Sequence, residues 1–200
     1  MNTPLFTEVL QLREGRFVVP EPHLERMRKT AAHFFGHPLE ADLSAHPIPA
    51  ELSKGRVKCR IIYGRTIESV TFSNYVPRNI RKLAVVSDDT LVYDYKYEDR
   101  SSFNNLLARK EDCDDILIIK NGFATDTSFT NVVFEESDGT LITPDTPLLA
   151  GTRRRALLDE GRIRARPVRA EKIPRFRGCY LINAMIGLED NVFCRRFAIV

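Results

Sequence analysis

The residues of this sequence that could do chemistry are a lysine at a helix boundary, an aspartate after a glycine turn, and arginines near helix starts. Lys96 lies in D-Y-K-Y-E-D-R, residues 94–100, four positions before Arg100 and a helical-looking run from Ser101 to Lys110. On local grounds alone such a lysine is a solvated charge. Asp126 follows N-G-F-A-T and reads locally as a turn residue. Arg26, in H-L-E-R, reads as the surface partner of Glu21 or Glu25. Gly151 and Thr152 open a helix, whose free N–H groups and dipole suit an anion or simply begin the helix. Arg153-Arg154-Arg155 suggests an acidic substrate, but on a helix the three point in different directions, so most of them are expected in solvent. His23 is expected to pack or cap near a helix start and is given no catalytic role.

Two hundred residues suffice for one large domain or two small ones. An apolar fraction of 43% and a charged fraction of 28% are those of an ordinary globular protein. The net charge of +3, with Lys and Arg spread along the chain, gives nucleic-acid binding little support. Cys59, Cys113, Cys179 and Cys194 are widely spaced with no C-x-x-C pair, which suits reduced thiols and leaves no zinc or other metal site to expect. The opening M-N-T-P-L-F-T-E has no charged region followed by an apolar stretch, and no run reaches membrane-spanning length. The expectation is a cytoplasmic protein without a membrane partner.

These residues need elements to hold them. Alternation predicts strands over 6–13 and 16–19 joined at E-G, then a helix over 20–36. In that helix Leu24, Met27, Ala31, Phe34 and Phe35 share a face, and Gly36 stops it. Residues 37–53 read as loop with short helical pieces. Strands are predicted over 55–64, 68–75 and 82–87, and a helix over roughly 99–111. Then follow a buried strand over 115–120, an N-G hairpin turn, and strands over 131–136 and 140–144. A helix over 151–161 and strands over 164–169 and 179–184 complete the chain. The composition shift near 88–94 divides it into a small α+β domain, 1–92, and a larger domain, 93–200.

Four stretches, in this order, resemble the fold-type IV pyridoxal-phosphate enzymes, the class IV aminotransferase family that includes aminodeoxychorismate lyase. They are Glu8 and Gly15 followed by His23-Leu24-Glu25-Arg26; Lys96 with Arg100; the run from Asp126 to Phe134, similar to E-x-x-x-S-N-x-F; and Thr143-Pro144 followed by Leu149-Ala150-Gly151-Thr152-Arg153. The segment L-I-N-A-M-I-G, 181–187, is similar to part of the aminodeoxychorismate lyases. Together they span residues 8–187.

The resemblance implies an α/β architecture, an α+β N-terminal domain followed by a mixed, barrel-like C-terminal domain that binds pyridoxal 5'-phosphate. It implies that Lys96 forms the Schiff base with the cofactor aldehyde and moves the substrate α-proton. Asp126 would face the pyridine nitrogen, where the family usually has Glu; Asp is one methylene shorter. Arg26, Gly151, Thr152, Asn183 and Ala184 would hold the phosphate. Arg60, Tyr63 and Arg65 are the nearest candidates for a substrate carboxylate, since the basic clamp of the D-amino-acid aminotransferases has no readable equivalent. The implied reaction is conversion of 4-amino-4-deoxychorismate to 4-aminobenzoate and pyruvate. A branched-chain or D-amino-acid aminotransferase is the alternative, and a non-catalytic cofactor-binding or scaffold relative is the alternative of another class. A homodimer is implied by resemblance alone.

Overall fold

The computed structural model describes residues 3–200 and divides the chain into two compact units. The first runs to Val76 and takes back Tyr95–Asp99; the second comprises Pro77–Asp94 and Arg100–Val200. The segment carrying Lys96 thus groups with the first unit, although a division at 92/93 assigns it to the second.

In the first unit, β1 (Phe6–Arg13), β2 (Arg16–Phe17), β3 (Arg56–Tyr63) and β4 (Ile67–Asn74) form an antiparallel sheet in the order β2-β1-β3-β4, with helix α1 (Glu21–Phe35) between β2 and β3 in sequence. The β1–β2 turn puts Glu14 at φ +47° and Gly15 at φ +71°, the left-handed pair that a tight hairpin requires. Strand β2 is shorter than the alternation of 16–19 predicts, because Val19 sits at φ +45° and leaves the ladder. Helix α1 carries a proline in its first turn and closes on Gly36 at φ +78°, whose N–H donates to the Ala32 carbonyl. Strict alternation along β3 buries Val57, Cys59, Ile61 and Tyr63 with Phe6, Leu10 and Leu12 of β1 and Met27 and Ala31 of α1.

In the second unit, β5 (Lys82–Ser87), β6 (Asp115–Lys120), β7 (Phe123–Thr127), β8 (Asn131–Glu135), β9 (Leu141–Pro144), β10 (Arg164–Arg166), β11 (Gly178–Ile182), β12 (Phe193–Cys194) and β13 (Arg196–Ile199) form one mixed sheet. The path β10-β9-β8-β7-β6-β5-β13 is parallel at β10–β9, β6–β5 and β5–β13 and antiparallel elsewhere. Strand β8 also pairs along its whole length with β11, which in turn pairs β12. Helices α2 (Ser101–Ala108) and α3 (Thr152–Asp159) are shorter than their sequence patterns predict. Strand β7, F-A-T-D-T, has no alternation to announce it, yet all but its first residue are buried. Strands β12 and β13 were likewise not legible; β13 is a partly exposed edge strand.

Among the described residues no helix is long and apolar enough to cross a membrane, and no group of His, Cys, Asp and Glu is arranged to hold a metal ion.

Candidate active site

Lys96 is positioned by its neighbours. The Thr7 amide donates to the Lys96 carbonyl at 2.8 Å, the Glu98 amide donates to the Leu5 carbonyl at 2.9 Å, and Phe6 bridges Tyr97. The chain therefore runs antiparallel to the start of β1. The flanking rings lock it there: Tyr97 lies 5.1 Å from Phe6, and Tyr95 lies 4.8 Å from Phe34 and stacks on His33 at 5.1 Å. The Tyr97 amide also donates to the Tyr95 carbonyl at 2.9 Å, so Lys96 is the central residue of a γ-turn whose two ends are half-buried aromatics. D-Y-K-Y-E thus holds an amine on an anchored backbone.

Glu21 and Glu25, the surface candidates for Arg26, engage Arg28 and Lys29. Arg26 itself grips Glu8, which lies on the α1-facing side of β1 and is fully buried. Arg26 Nε and Nη2 donate to the two carboxylate oxygens at 2.9 and 2.6 Å, and His23 Nδ1 lies 2.8 Å from Glu8 Oε1. Burial would raise the Glu8 carboxyl, but the Arg26 guanidinium and His23 outweigh it and hold it well below the usual carboxylate range. His23 is thus a buried partner of Glu8, consistent with a packing role.

The three substrate candidates sit differently. Arg60 pairs with Glu98 at 3.1 Å, which places it beside the Lys96 segment. Arg65 is exposed, its guanidinium 5.4 Å above the Phe35 ring. Tyr63 is 1% exposed within the core of its unit, with its hydroxyl pushed up to about 12 by burial and bonded to Thr30. A side chain packed this way serves the core, and a direct contact from it to a substrate carboxylate would require it to leave that packing.

In the second unit Asp126 is a strand residue, 5% exposed, and not a turn residue. Its Oδ1 accepts from Asn131 Nδ2 at 2.7 Å and its Oδ2 from the Leu149 amide at 3.0 Å. Burial pushes its carboxyl up to about 6, against the pull of the Leu149 amide, the Asn131 amide and the Arg154 guanidinium. The turn between Asp126 and Asn131 is held from two sides: Arg100 donates to the Ser128 carbonyl and Asn183 Nδ2 to the Phe129 carbonyl, the latter at 3.3 Å. Asn183 Oδ1 also accepts from the Met185 amide at 2.8 Å, closing the 183–186 turn that carries Ala184.

Helix α3 begins at Thr152, and its N-cap Gly151 offers no side-chain cap to the first N–H groups. Of the three consecutive arginines only Arg155 is largely in solvent. Arg153 lies 3.8 Å from Glu189, and Arg154 donates through Nε to Thr143 Oγ1 at 3.2 Å and through Nη2 to the Pro144 carbonyl at 2.8 Å. The expectation that most of them are solvated is therefore corrected. Sequence reasoning missed Arg154, and its signal was the T-P pair it binds, which the motif already contained.

Each unit by itself carries groups whose chemistry suits pyridoxal phosphate: the first an amine on an anchored backbone, the second a buried carboxylate beside a helix start without a side-chain cap. Residues 101–189 match the family described as amino-transferase class IV. The chain is 32% identical to a "putative 4-amino-4-deoxychorismate lyase" of Haemophilus somnus, over 94% of this chain and 99% of that one, with a TM-score of 0.80. An uncharacterised protein of Haemophilus influenzae is 42% identical over 132 residues, 66% of this chain and 70% of that protein. A hypothetical aminotransferase of Mycobacterium tuberculosis in its pyridoxal-phosphate-bound form shares the fold, with a TM-score of 0.71 at 21% identity, over 91% of this chain and 78% of that one. The chain belongs to the class IV aminotransferase family, enzymes of fold-type IV that depend on pyridoxal phosphate.

Proposed function

We propose that this enzyme is a 4-amino-4-deoxychorismate lyase, which releases 4-aminobenzoate and pyruvate, working in the cytoplasm as a homodimer. The observation that carries the reading is the 32% identity to the Haemophilus somnus protein of that name, extending over 94% of this chain. The buried Asp126 carboxylate beside the start of α3 supports it.

When bound, the cofactor supplies an electron sink for the carbon that loses its proton. The chain's residues do the rest. Lys96 carries the amine that would attach the cofactor; its Nζ takes the substrate α-proton and delivers it to the enolpyruvate fragment that leaves as the ether C–O bond breaks and the ring becomes aromatic. Asp126 would present an anion to the ring nitrogen and so hold its proton there. Arg26 offers a guanidinium to the phosphate while Glu8 fixes its plane. Gly151 and Thr152 offer the N–H groups at the start of α3, and Asn183 and Ala184 supply the second phosphate-facing turn. Arg60, set beside Glu98, is the substrate-carboxylate contact that the geometry favours over Tyr63 and Arg65.

The test is to mix purified protein, loaded with pyridoxal phosphate, with 4-amino-4-deoxychorismate and separately with L- and D-amino acids. Pyruvate release without conversion of the cofactor to its pyridoxamine form supports the lyase. That conversion, driven by an amino acid, makes the enzyme a transaminase; neither outcome in a protein that binds the cofactor makes it a binding relative.

A further inference from the structure

Asn131, the first residue of β8, is 6% exposed and stands in register opposite Asp126 as the single β7–β8 pair. Its side-chain amide makes two contacts with two different parts of the unit. Nδ2 donates to Asp126 Oδ1 at 2.7 Å and to the Leu149 carbonyl at 2.9 Å, so both of its protons are used. Its Oδ1 lies against Gly151 so closely that a Cβ built there would stand 1.9 Å from it. Gly151 has an ordinary extended backbone, at φ −69° and ψ 143°, so the glycine is required there by the Asn131 side chain. One amide therefore touches the carboxylate on β7, the 148–150 loop and the residue that opens α3.

The carboxylate is pinned at both ends. Its Oδ1 is held by Asn131 and its Oδ2 by the Leu149 amide, and the Leu149 carbonyl returns to the same Asn131 Nδ2. With Asp in place of the longer Glu, the reach of the group depends on where the strand and the loop hold it, and Asn131 joins the two.

We propose that Asn131 is a positioning residue: it orients the Asp126 carboxylate and, through Gly151, fixes the distance between that carboxylate and the start of α3. This role rests on the cofactor reading above, in which Asp126 faces the ring nitrogen and α3 the phosphate. The two anchors of one ligand are thereby held as a unit, so loss of the amide loosens both.

The test reads Asp126 directly. The carboxyl of Asp126 is titrated by 13C NMR in cofactor-free protein, and pyridoxal phosphate affinity is measured by absorbance, for wild type, Asn131→Ala and the near-isosteric Asn131→Asp. The charged group facing Asp126 from α3 is Arg154; β8 and the 148–149 loop present only the Asn131 amide and backbone amides. Arg154 is unchanged in every variant, so it does not confound the comparison. Removal of the Nδ2 donor should move the Asp126 midpoint upward by about one pH unit and weaken pyridoxal phosphate binding roughly tenfold or more. Asn131→Asp keeps the shape, so it should fold where Asn131→Ala does not, and should raise the midpoint further by placing a second carboxylate alongside. Gly151→Ala should be harmful in wild type and tolerated in the Asn131→Ala background, a coupling that an unrelated packing defect does not produce. An unmoved Asp126 midpoint with unchanged affinity in either Asn131 variant overturns the positioning role. A wild-type protein that does not bind pyridoxal phosphate overturns the cofactor reading instead, so the two failures are distinct.

Discussion

Arg26 on α1 grips Glu8 on β1 with two nitrogens, at 2.9 and 2.6 Å, and this pair holds the first helix to the first strand through a fully buried carboxylate. The arginine of the H-L-E-R motif is therefore a structural tie before it meets any ligand. Its guanidinium is a planar fork, and a carboxylate on one edge leaves the other edge with a fixed direction.

The stability of the first unit should accordingly depend on Glu8. Glu8→Gln leaves the Arg26 charge and His23 without their buried anion, at a cost of roughly 3–5 kcal/mol. The carboxyl sits below its ordinary value of 4.5 in the folded state. Its contribution is therefore full above that value and is lost as pH falls below it. Urea unfolding from pH 7 down to pH 3 should show a loss in wild type that is smaller in Glu8→Gln. Equal slopes in the two proteins would remove Glu8 from the account.

Arg26→Ala should weaken retention of pyridoxal phosphate by roughly ten- to a hundredfold, the loss of one charge-assisted contact. Because Glu8 then lies buried without its cation, the variant should also be less stable, so affinity must be measured where it remains folded. Arg26→Ala and Glu8→Gln separate the two duties. An affinity that falls equally in both variants shows that Arg26 acts through the fold alone.

How far these residues were legible depends on the distance over which each is arranged. Phe6, Leu10 and Leu12 alternate, Leu24, Met27 and Ala31 recur at helical spacing, and the strands and helix they belong to follow from those periods. Lys96 is singled out in the sequence by its spacing to Arg100 and its place among ordered motifs, and the structure adds the backbone bonds that anchor its segment. The period assigns a face, however, and not a partner. Glu8 reads as one more strand residue until α1 brings Arg26 and His23 to it across fifteen and more positions. Strand β7 escaped because Thr125, Asp126 and Thr127 are polar and buried, which inverts the usual alternation signal. Arg154 was lost among three like residues, since nothing local tells which one turns toward Thr143 and Pro144. Tyr63 is among the nearest carboxylate candidates where no basic clamp is readable, but β3 alternation turns it inward.

The buried cysteines make a simple prediction. Cys59, Cys113, Cys179 and Cys194 are all buried, and burial pushes the Cys59 thiol up to about 12. Native protein should therefore react slowly with a thiol reagent and release four equivalents on unfolding. Rapid labelling of the native protein would mean that one of the segments burying them opens readily.

Asp126 titrates in the opposite sense to Glu8. Burial pushes it up to about 6 from an ordinary 3.8, so on raising the pH its ionisation begins in the unfolded chain first. Its contribution to stability falls as pH rises from about 4 to 6 and is level beyond. Asp126→Asn removes this slope. In cofactor-free protein, the stability of the variant relative to wild type should rise by on the order of 2–3 kcal/mol across that window. In the loaded enzyme the same variant should form the cofactor band yet turn over slowly, because the ring nitrogen faces no anion. A flat difference across the window, or full turnover by the variant, sends the ring-nitrogen role to another residue.

Lys96→Ala separates attachment and proton transfer from binding. The γ-turn at Lys96 is built from backbone bonds to β1 and from the Tyr95 and Tyr97 rings, none of which needs the lysine side chain. The variant should therefore keep this backbone arrangement. On the proposed assignment Arg26, Gly151, Thr152 and Asn183 still hold the phosphate, so pyridoxal phosphate should bind, but without the covalent link. After borohydride reduction and denaturation, wild type should retain the cofactor on the peptide containing Lys96, and the variant should release it. Turnover should fall by about 10²–10⁴ through loss of the positioned base alone. A small added amine should restore part of the proton transfer but not the link, which distinguishes a missing base from a damaged site. If the variant keeps a borohydride-stable cofactor, the attachment point is another lysine, and the anchored γ-turn at Lys96 holds an ordinary surface charge.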